Sequence, residues 1–375
     1  YLFNMQDQYT PETSTNQQLK CKDCGAFLKF APGTNAITCD YCGAFNEIEK
    51  STEIVEEIDY EKFITEKLSL EKQQTIVTVK CAECGAATTL KSNITSDLCP
   101  FCGTSLVVAN GSTSTILKPK SLLPFGITQK QAFELFRFWI KKLWFAPNSL
   151  RKYVNNTDKF YGMYIPYWTY DSDTDSSYTG SRGTYYYVTE SYTTTENGRT
   201  VTKTRQVRKV RWTPVSGYVN NAFDDVLITA SQSLPLKYID KLEPWDLKNL
   251  IPYDDKFLSG FRTECYQVDV KKGFENAKIK MDSVIRYAVK TDIGGDEQQI
   301  YTLNTTYRNI TFKHILLPLW ISSYRYQNKV YRFMVNARTG EIHGERPWSV
   351  WKIILFSLAC ILVITGIIII VKMNK

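Results

Sequence analysis

Histidine is nearly absent: the chain of 375 residues has two, His314 and His343. Two histidines cannot make a His-rich metal triad. The sequence also lacks a glycine-rich phosphate loop followed by lysine, and it has no G-x-S-x-G elbow. Carboxylates distant in sequence can still meet in a fold, but no catalytic constellation is visible, so the residues point away from an enzyme. No basic, then apolar, then small-residue series opens the chain, so no secretory signal is expected.

What is present is cysteine, in a repeated arrangement. Cys21 and Cys24 are followed after fourteen residues by Cys39 and Cys42, and Cys81 and Cys84 after the same fourteen by Cys99 and Cys102. The second set is the first displaced by sixty positions, and glycine follows every pair. A two-residue gap lets both thiolates of a pair reach one ion, and two pairs close a tetrahedral shell at about 2.3 Å per Zn–S bond. Glycine permits the tight turn after the second cysteine. A module of about 25 residues buries too little apolar surface to fold alone, so metal binding supplies the folding energy. A redox Cys-x-x-Cys would not recur as matched pairs, and a disulfide framework belongs to secreted chains. Two structural zinc ions are therefore expected, each in a closed four-thiolate shell with no catalytic position.

A long apolar run lies at the other end. Ile353 to Val371 is nineteen residues without a charge, which as a helix spans ~28 Å, about one hydrocarbon core. Trp348 and Trp351 sit at its edge as interfacial anchors, and Lys352 and Lys372 bracket it. Basic residues on both sides leave the charge rule for orientation undecided. Zinc–thiolate shells persist where thiols stay reduced. The expected topology is a cytoplasmic body held in the membrane by a single-pass C-terminal anchor.

Between the ends, tyrosine and threonine are abundant, which favours strands. Residues 47–71 carry nine acidic and three basic residues and read as strand and helix fragments with a solvated acidic face. Thr128 and Gln131 form a capping box. Behind it, Ala132, Phe133, Leu135, Phe136, Trp139, Ile140, Leu143 and Trp144 recur at helical spacing and stop before Pro147. Packing on a sheet is the commoner fate of such a face, and a membrane-surface helix is the other, with Arg137, Lys141 and Lys142 nearby. A second helix is expected over Gly273 to Ala288. Each helix precedes a β-like motif, Tyr164-Ile165-Pro166-Tyr167-Trp168 and Leu317-Pro318-Leu319-Trp320, which allows a duplicated α+β unit.

Thr184 to Thr195, an Asn197-Gly198 turn and Arg199 to Trp212 read as a long hairpin. The turn sets Glu196 opposite Arg199, Glu190 opposite Arg205 and Val188 opposite Val207, good cross-strand neighbours all. With few apolar residues on either face, such a hairpin is marginal alone and is expected to project towards a partner, another copy of the chain included. Its return strand holds Arg199, Lys203, Arg205, Arg208, Lys209 and Arg211 with no acid. That strand fits a charge-protected solvated edge, with nucleic-acid phosphates or lipid headgroups as alternatives. Asp171, Asp173 and Asp175 alternate like the start of a calcium loop, but Ser176 and Arg182 stand where glycine and glutamate are needed. They read as a solvated turn.

Several of these motifs together resemble a known family. The two Cys-x-x-Cys-Gly ribbons are followed by Phe145 to Pro147, Ile165 to Trp168, Leu316 to Trp320, Val335 to Gly340 and Gly344 to Trp348, and then by one terminal span. In this order they resemble the bacterial membrane-anchored double zinc-ribbon proteins, over nearly the whole chain. The resemblance implies association with flotillin-like SPFH scaffolds and phage-shock-type envelope stress systems. It brings no activity and no catalytic residues. The primosomal or transcription-factor label that such proteins often carry rests on the ribbons alone.

The fold class read from the sequence is α+β: two N-terminal four-cysteine zinc ribbons, a β-rich body with a projecting hairpin, and a single C-terminal transmembrane helix. Its expected parts are a flexible terminus (1–18), ribbon one (19–48), an acidic connector (49–76), ribbon two (77–110), the α+β body (111–345, hairpin 184–212) and the anchor (346–375). The expected function is a membrane-tethered adaptor that assembles with other membrane proteins, with nucleic-acid binding as the alternative.

Overall fold

The computed structural model describes residues 19–49, 51, 55–65, 73–82, 85–89, 96–99, 101, 104–107, 111–148, 150, 160–196, 198–327 and 329–373. The expected flexible terminus, 1–18, lies outside them, as do 50, 52–54 and 66–72 of the connector. Ribbon one is a three-stranded antiparallel sheet of β1 (Leu28–Phe30), β2 (Ala36–Cys39) and β3 (Phe45–Glu47). The connector supplies β4 (Ile58–Asp59) and α1 (Tyr60–Thr65). Ribbon two contributes β5 (Gln73–Lys80), β6 (Ala87–Thr89), β7 (Ser96–Leu98) and β8 (Ser105–Val107). It also includes β9 (Gly111–Leu117), which pairs along β5. The boundary expected at residue 110 therefore cuts through a sheet.

The body follows as β10 (Ser121–Leu122), α2 (Gln129–Lys141), β11 (Tyr161–Glu196), β12 (Arg199–Thr229), β13 (Ile251–Pro252) and β14 (Arg262–Thr263). It continues through α3 (Val270–Ile293), β15 (Glu297–Tyr326), β16 (Lys329–Asn336) and β17 (Ile342–Gly344), and α4 (Val350–Met373) ends the described chain. β12, β11 and β15 form a long antiparallel ribbon, with β12 at the edge, in a sheet that β10 and β13 extend on the other side. β15 leaves β11 at Gly183, opposite Glu297. Beyond that point β11 and β12 continue alone to the turn, so 184–212 is the tip of a longer ribbon. Glu196 faces Arg199, Glu190 faces Arg205 and Val188 faces Val207, the register the turn dictates. Gly198 has φ of 76°, which a side chain would resist.

Asp171, Asp173 and Asp175 lie inside β11 and not in a turn: Asp173 and Asp175 are paired on both sides, and Asp171, at a bulge on the β12 side, pairs with Thr311 of β15. A register shift between Tyr170 and Ser172 accommodates them, as bulges do in long twisted strands. Their polarity had marked a break, whereas the ladder continues through it.

Side chains alternate across β11. Met163, Ile165 and Tyr167 join one core with Val79, Cys81, Cys99 and Phe101 of ribbon two. On the other face, Tyr164 joins Cys21, Phe30 and Cys39 of ribbon one and Phe133, Phe136 and Ile140 of α2. The two ribbons thus dock on opposite faces of the central sheet. Trp168 and Tyr170 pack against α3, whose buried stripe runs Gly273, Phe274, Ala277, Met281, Ile285, Val289 and Ile293. Helix α3 begins three residues before the expected Gly273 and ends five after Ala288. Ile279, counted as apolar face, is on its solvent side. Gly273 permits the close approach: a Cβ there would meet Trp168 Cδ1 at 2.9 Å and the Tyr170 hydroxyl.

The connector is more than a solvated face. Ile58 is buried, the Phe63 ring lies 5.0 Å from Phe312, and β4 pairs with β15. The duplication motifs meet directly, Tyr164 opposite Pro318 and Ile165 opposite Leu317. Helix α2 has the expected capping box at Thr128, buries Phe133, Phe136 and Ile140, and leaves Phe138 exposed. Helix α4 is long and apolar enough to cross a membrane and buries none of its residues in the body.

Candidate metal centre

Each knuckle of ribbon one is built by two backbone hydrogen bonds. The Gly25 amide donates to Cys21 O and the Cys21 amide to Ala26 O; the Gly43 amide donates to Cys39 O and the Cys39 amide to Ala44 O. Gly25 and Gly43 both have φ of 73°, so the glycine after each pair is a conformational requirement. These turns bring four sulfurs together. Cys21 Sγ is 3.5 Å from Cys42 Sγ, Cys24 Sγ is 3.4 Å from Cys39 Sγ, and all four lie within 4.8 Å of one another. A tetrahedral ion with bonds of about 2.3 Å sets its sulfurs about 3.8 Å apart, so the four thiols can hold a metal ion with small adjustment.

Cys21 and Cys39 are buried, while Cys24 and Cys42 face solvent. The Cys42 and Tyr41 amides bring the Cys39 thiol down to about 7. The Ala44 amide also lowers Cys42, but hydrogen bonds with Cys21, Cys24 and Cys39 outweigh it and push that thiol up to about 12. Four crowded thiols cannot all ionise without a cation to hold the charge, and a bound metal supplies it.

Of the second set, Cys81 and Cys99 are described, and both are buried. The Cys81 amide donates to Ala86 O, the Gly85 amide to Cys81 O and the Cys99 amide to Thr104 O, the knuckle pattern of ribbon one. Cys84 and Cys102 lie outside the described residues. Arg332 Nε donates to Phe101 O at 3.0 Å and ties this ribbon to β16.

Ribbon one presents Phe27, Tyr41 and Phe45 to solvent at 52%, 86% and 61% exposure. Both of its knuckles read Cys-x-x-Cys-Gly-Ala-Phe, a repeat that marks Phe27 and Phe45 as equivalent positions. On the hairpin tip, alternation puts Arg199, Lys203, Arg205, Lys209 and Arg211 on one face and Arg208 on the other. Glu190 pairs with Lys209 at 3.0 Å and Arg205 at 3.7 Å.

Asp171, Asp224 and Asp225 bring carboxylate oxygens within 4.8 Å of one another, but a cation already serves this corner. Lys313, 7% exposed, lies 2.8 Å from Asp225 and 3.0 Å from Glu57 of the connector. Burial, with Glu57 close by, raises the Asp171 carboxyl to about 6. Sequence spacing gave no signal for this clasp, because Glu57 and Lys313 are far apart in the chain. His314 is buried between Trp168 and Tyr266, its Nδ1 3.0 Å from Leu117 O. Burial holds it down to about 4. His343 lies 3.0 Å from Glu341.

Fold and site together define a class: an α+β body with a docked four-thiol ribbon and one apolar terminal helix. No family model matches the chain, and no solved structure matches it. It is similar to an uncharacterized protein of Bacillus subtilis (strain 168), YdjG, at 26% identity over 238 residues. The match covers 63% of this chain and 66% of that relative, slightly under two thirds of its length.

Proposed function

We propose that the chain is a membrane-anchored zinc-ribbon adaptor that joins other membrane proteins into a complex. The observation that carries this reading is the exposed aromatic surface of ribbon one. Phe27, Tyr41 and Phe45 stand in solvent on a module whose opposite side is packed into the body. Aromatic residues are enriched where proteins meet. The exposed charges around them are of both signs, Lys20, Lys22 and Lys29 with Asp23, Asp40 and Glu47, which suits a protein more than a phosphate backbone.

On this reading each ribbon holds one zinc ion, the first through Cys21, Cys24, Cys39 and Cys42, the second through Cys81, Cys84, Cys99 and Cys102. Zinc is favoured over other metals because four thiolates form a closed tetrahedral shell. Helix α4 crosses the bilayer and the body lies in the cytoplasm, where thiols stay reduced. The resemblance to membrane-anchored double zinc-ribbon proteins makes an SPFH-type scaffold the first partner to seek. Replacing Phe27, Tyr41 and Phe45 with serine should remove the co-purifying membrane protein while the variant stays in the membrane fraction and keeps its metal. Retention of the partner by this variant would refute the adaptor surface.

The basic face of the hairpin favours a second reading, nucleic-acid binding. It requires affinity that falls steeply with salt and drops when Arg205, Lys209 and Arg211, all on that face, become alanine. Binding insensitive to both would remove it.

A further inference from the structure

The segment that follows α2 and the start of α4 are joined by direct contacts. The Ser349 amide donates to Phe145 O at 2.7 Å, and Lys352 Nζ donates to Ala146 O at 2.7 Å. The Phe145 ring lies 6.2 Å from Trp348 and 5.4 Å from Phe356. Phe356 is already inside the uncharged run that begins at Ile353. The segment after α2 therefore sits level with the first turn of the apolar helix.

Next to that segment in the chain the body shows aromatic side chains that it does not bury. Trp144 is 75% exposed and Phe138 59%, although α2 packs its inner face into the core. Trp348 and Trp351, at the start of α4, are exposed as well. The cations here are Arg137, Lys141, Lys142, Arg346 and Lys352, with Glu134 and Glu345 the nearby acids in sequence. Lys142 Nζ stands 4.2 Å from the Phe138 ring centre, and the Arg346 guanidinium 4.2 Å from that of Trp348. Tryptophan paired with lysine or arginine is the composition of a membrane–water interface. A net positive shelf at that depth meets anionic headgroups.

We propose that the outer face of α2 and the segment after it, through Phe138 and Trp144, lie in the headgroup layer of the bilayer that α4 crosses and bind anionic phospholipid there. The proposal rests on the reading of α4 as a span. The body is then held flat by two attachments in place of swinging on one helix. The sheet surface that carries ribbon one keeps a fixed tilt to the membrane, and a docked partner meets a fixed geometry.

The test uses the full chain in bilayer nanodiscs of phosphatidylcholine, with or without phosphatidylglycerol. A benzophenone side chain replaces Trp144, Leu362 of α4 or Tyr287 of α3, and lipid adducts are read by mass spectrometry. Lipid adducts at 362 and 144 but not at 287 are expected. The yield at 144 should rise with phosphatidylglycerol and fall at least about threefold when K141E and K142E are added, because each lost cation weakens attraction to an anionic surface. An adduct at 362 without one at 144 overturns the shelf and leaves the anchor standing. Adducts at neither position overturn the anchor, and the shelf with it. A yield at 144 that ignores lipid charge overturns the anionic preference. All three positions are exposed, so the replacements leave the core intact.

Discussion

The Phe30 ring of ribbon one lies 5.1 Å from the Phe257 ring of the body. Around this contact the Phe30 amide donates to Ser259 O at 3.0 Å, and Ser259 Oγ donates to Leu28 O at 2.6 Å. The ribbon is thus docked through its own strand and does not hang on a linker.

Docking and metal loading should separate by mutation. Phe30→Ala removes a ring that is 3% exposed, at a cost of about 3–5 kcal/mol. The variant should melt lower yet keep its metal. Cys39→Ser should lose one metal ion and also melt lower, because Cys39 lines the same core. Metal content by elemental analysis alongside calorimetry checks both. An unchanged melting temperature in F30A would mean that the contact contributes nothing.

Lys313 holds the connector to the sheet. Lys313→Met leaves Glu57, Asp171 and Asp225 clustered without their cation; Lys313 is buried but Glu57 is exposed, so the cost lies between the ~0–1 kcal/mol of a surface pair and the ~3–5 kcal/mol of a buried one. The deficit should be largest near pH 7 and should shrink towards pH 5, as the crowded carboxyls take up protons. Urea unfolding at several pH values gives the answer, and a deficit that grows on acidification would contradict the clasp.

His314 should make the protein acid-sensitive. Its folded value of about 4 lies below the ordinary 6.5. Between these values the unfolded chain binds a proton that the folded chain refuses, so stability falls as pH drops through the window. The full effect is about 3 kcal/mol. Asp171 works in the opposite sense, since its raised value lets the folded state take up a proton first. Comparing wild type with His314→Leu isolates the histidine. The variant starts lower, having lost the contact with Leu117 O, and its stability should fall less between pH 7 and pH 4.

Gly273→Ala should destabilise although alanine is the better helix former. Propensity favours the change by about 1 kcal/mol, but the new methyl group collides with Trp168 and Tyr170. Overpacking of this kind costs about 1–3 kcal/mol. The sign of the change in denaturant midpoint decides which term wins.

The sequence made some features plain because local chemistry specifies them. The turn at Gly198 and the alternation beside it specified the hairpin register, and Thr128 with Gln131 specified the start of α2. The Cys-x-x-Cys-Gly spacing brought together the four thiols of ribbon one. Long-range pairing was less visible. Asp171 to Asp175 looked like a turn because three acids in a strand give no apolar alternation, yet two neighbouring strands cover them. The clasp of Lys313 with Glu57 depends on tertiary contact alone, as does the docking of the ribbons on opposite faces.

The most direct test of the adaptor is a photo-crosslinking side chain in place of Tyr41, 86% exposed on the ribbon surface, activated in native membranes. The account predicts a crosslink to one membrane protein in stoichiometric yield, lost when Cys39→Ser removes the ribbon's metal. A crosslink to nucleic acid, or none to any protein, would contradict it.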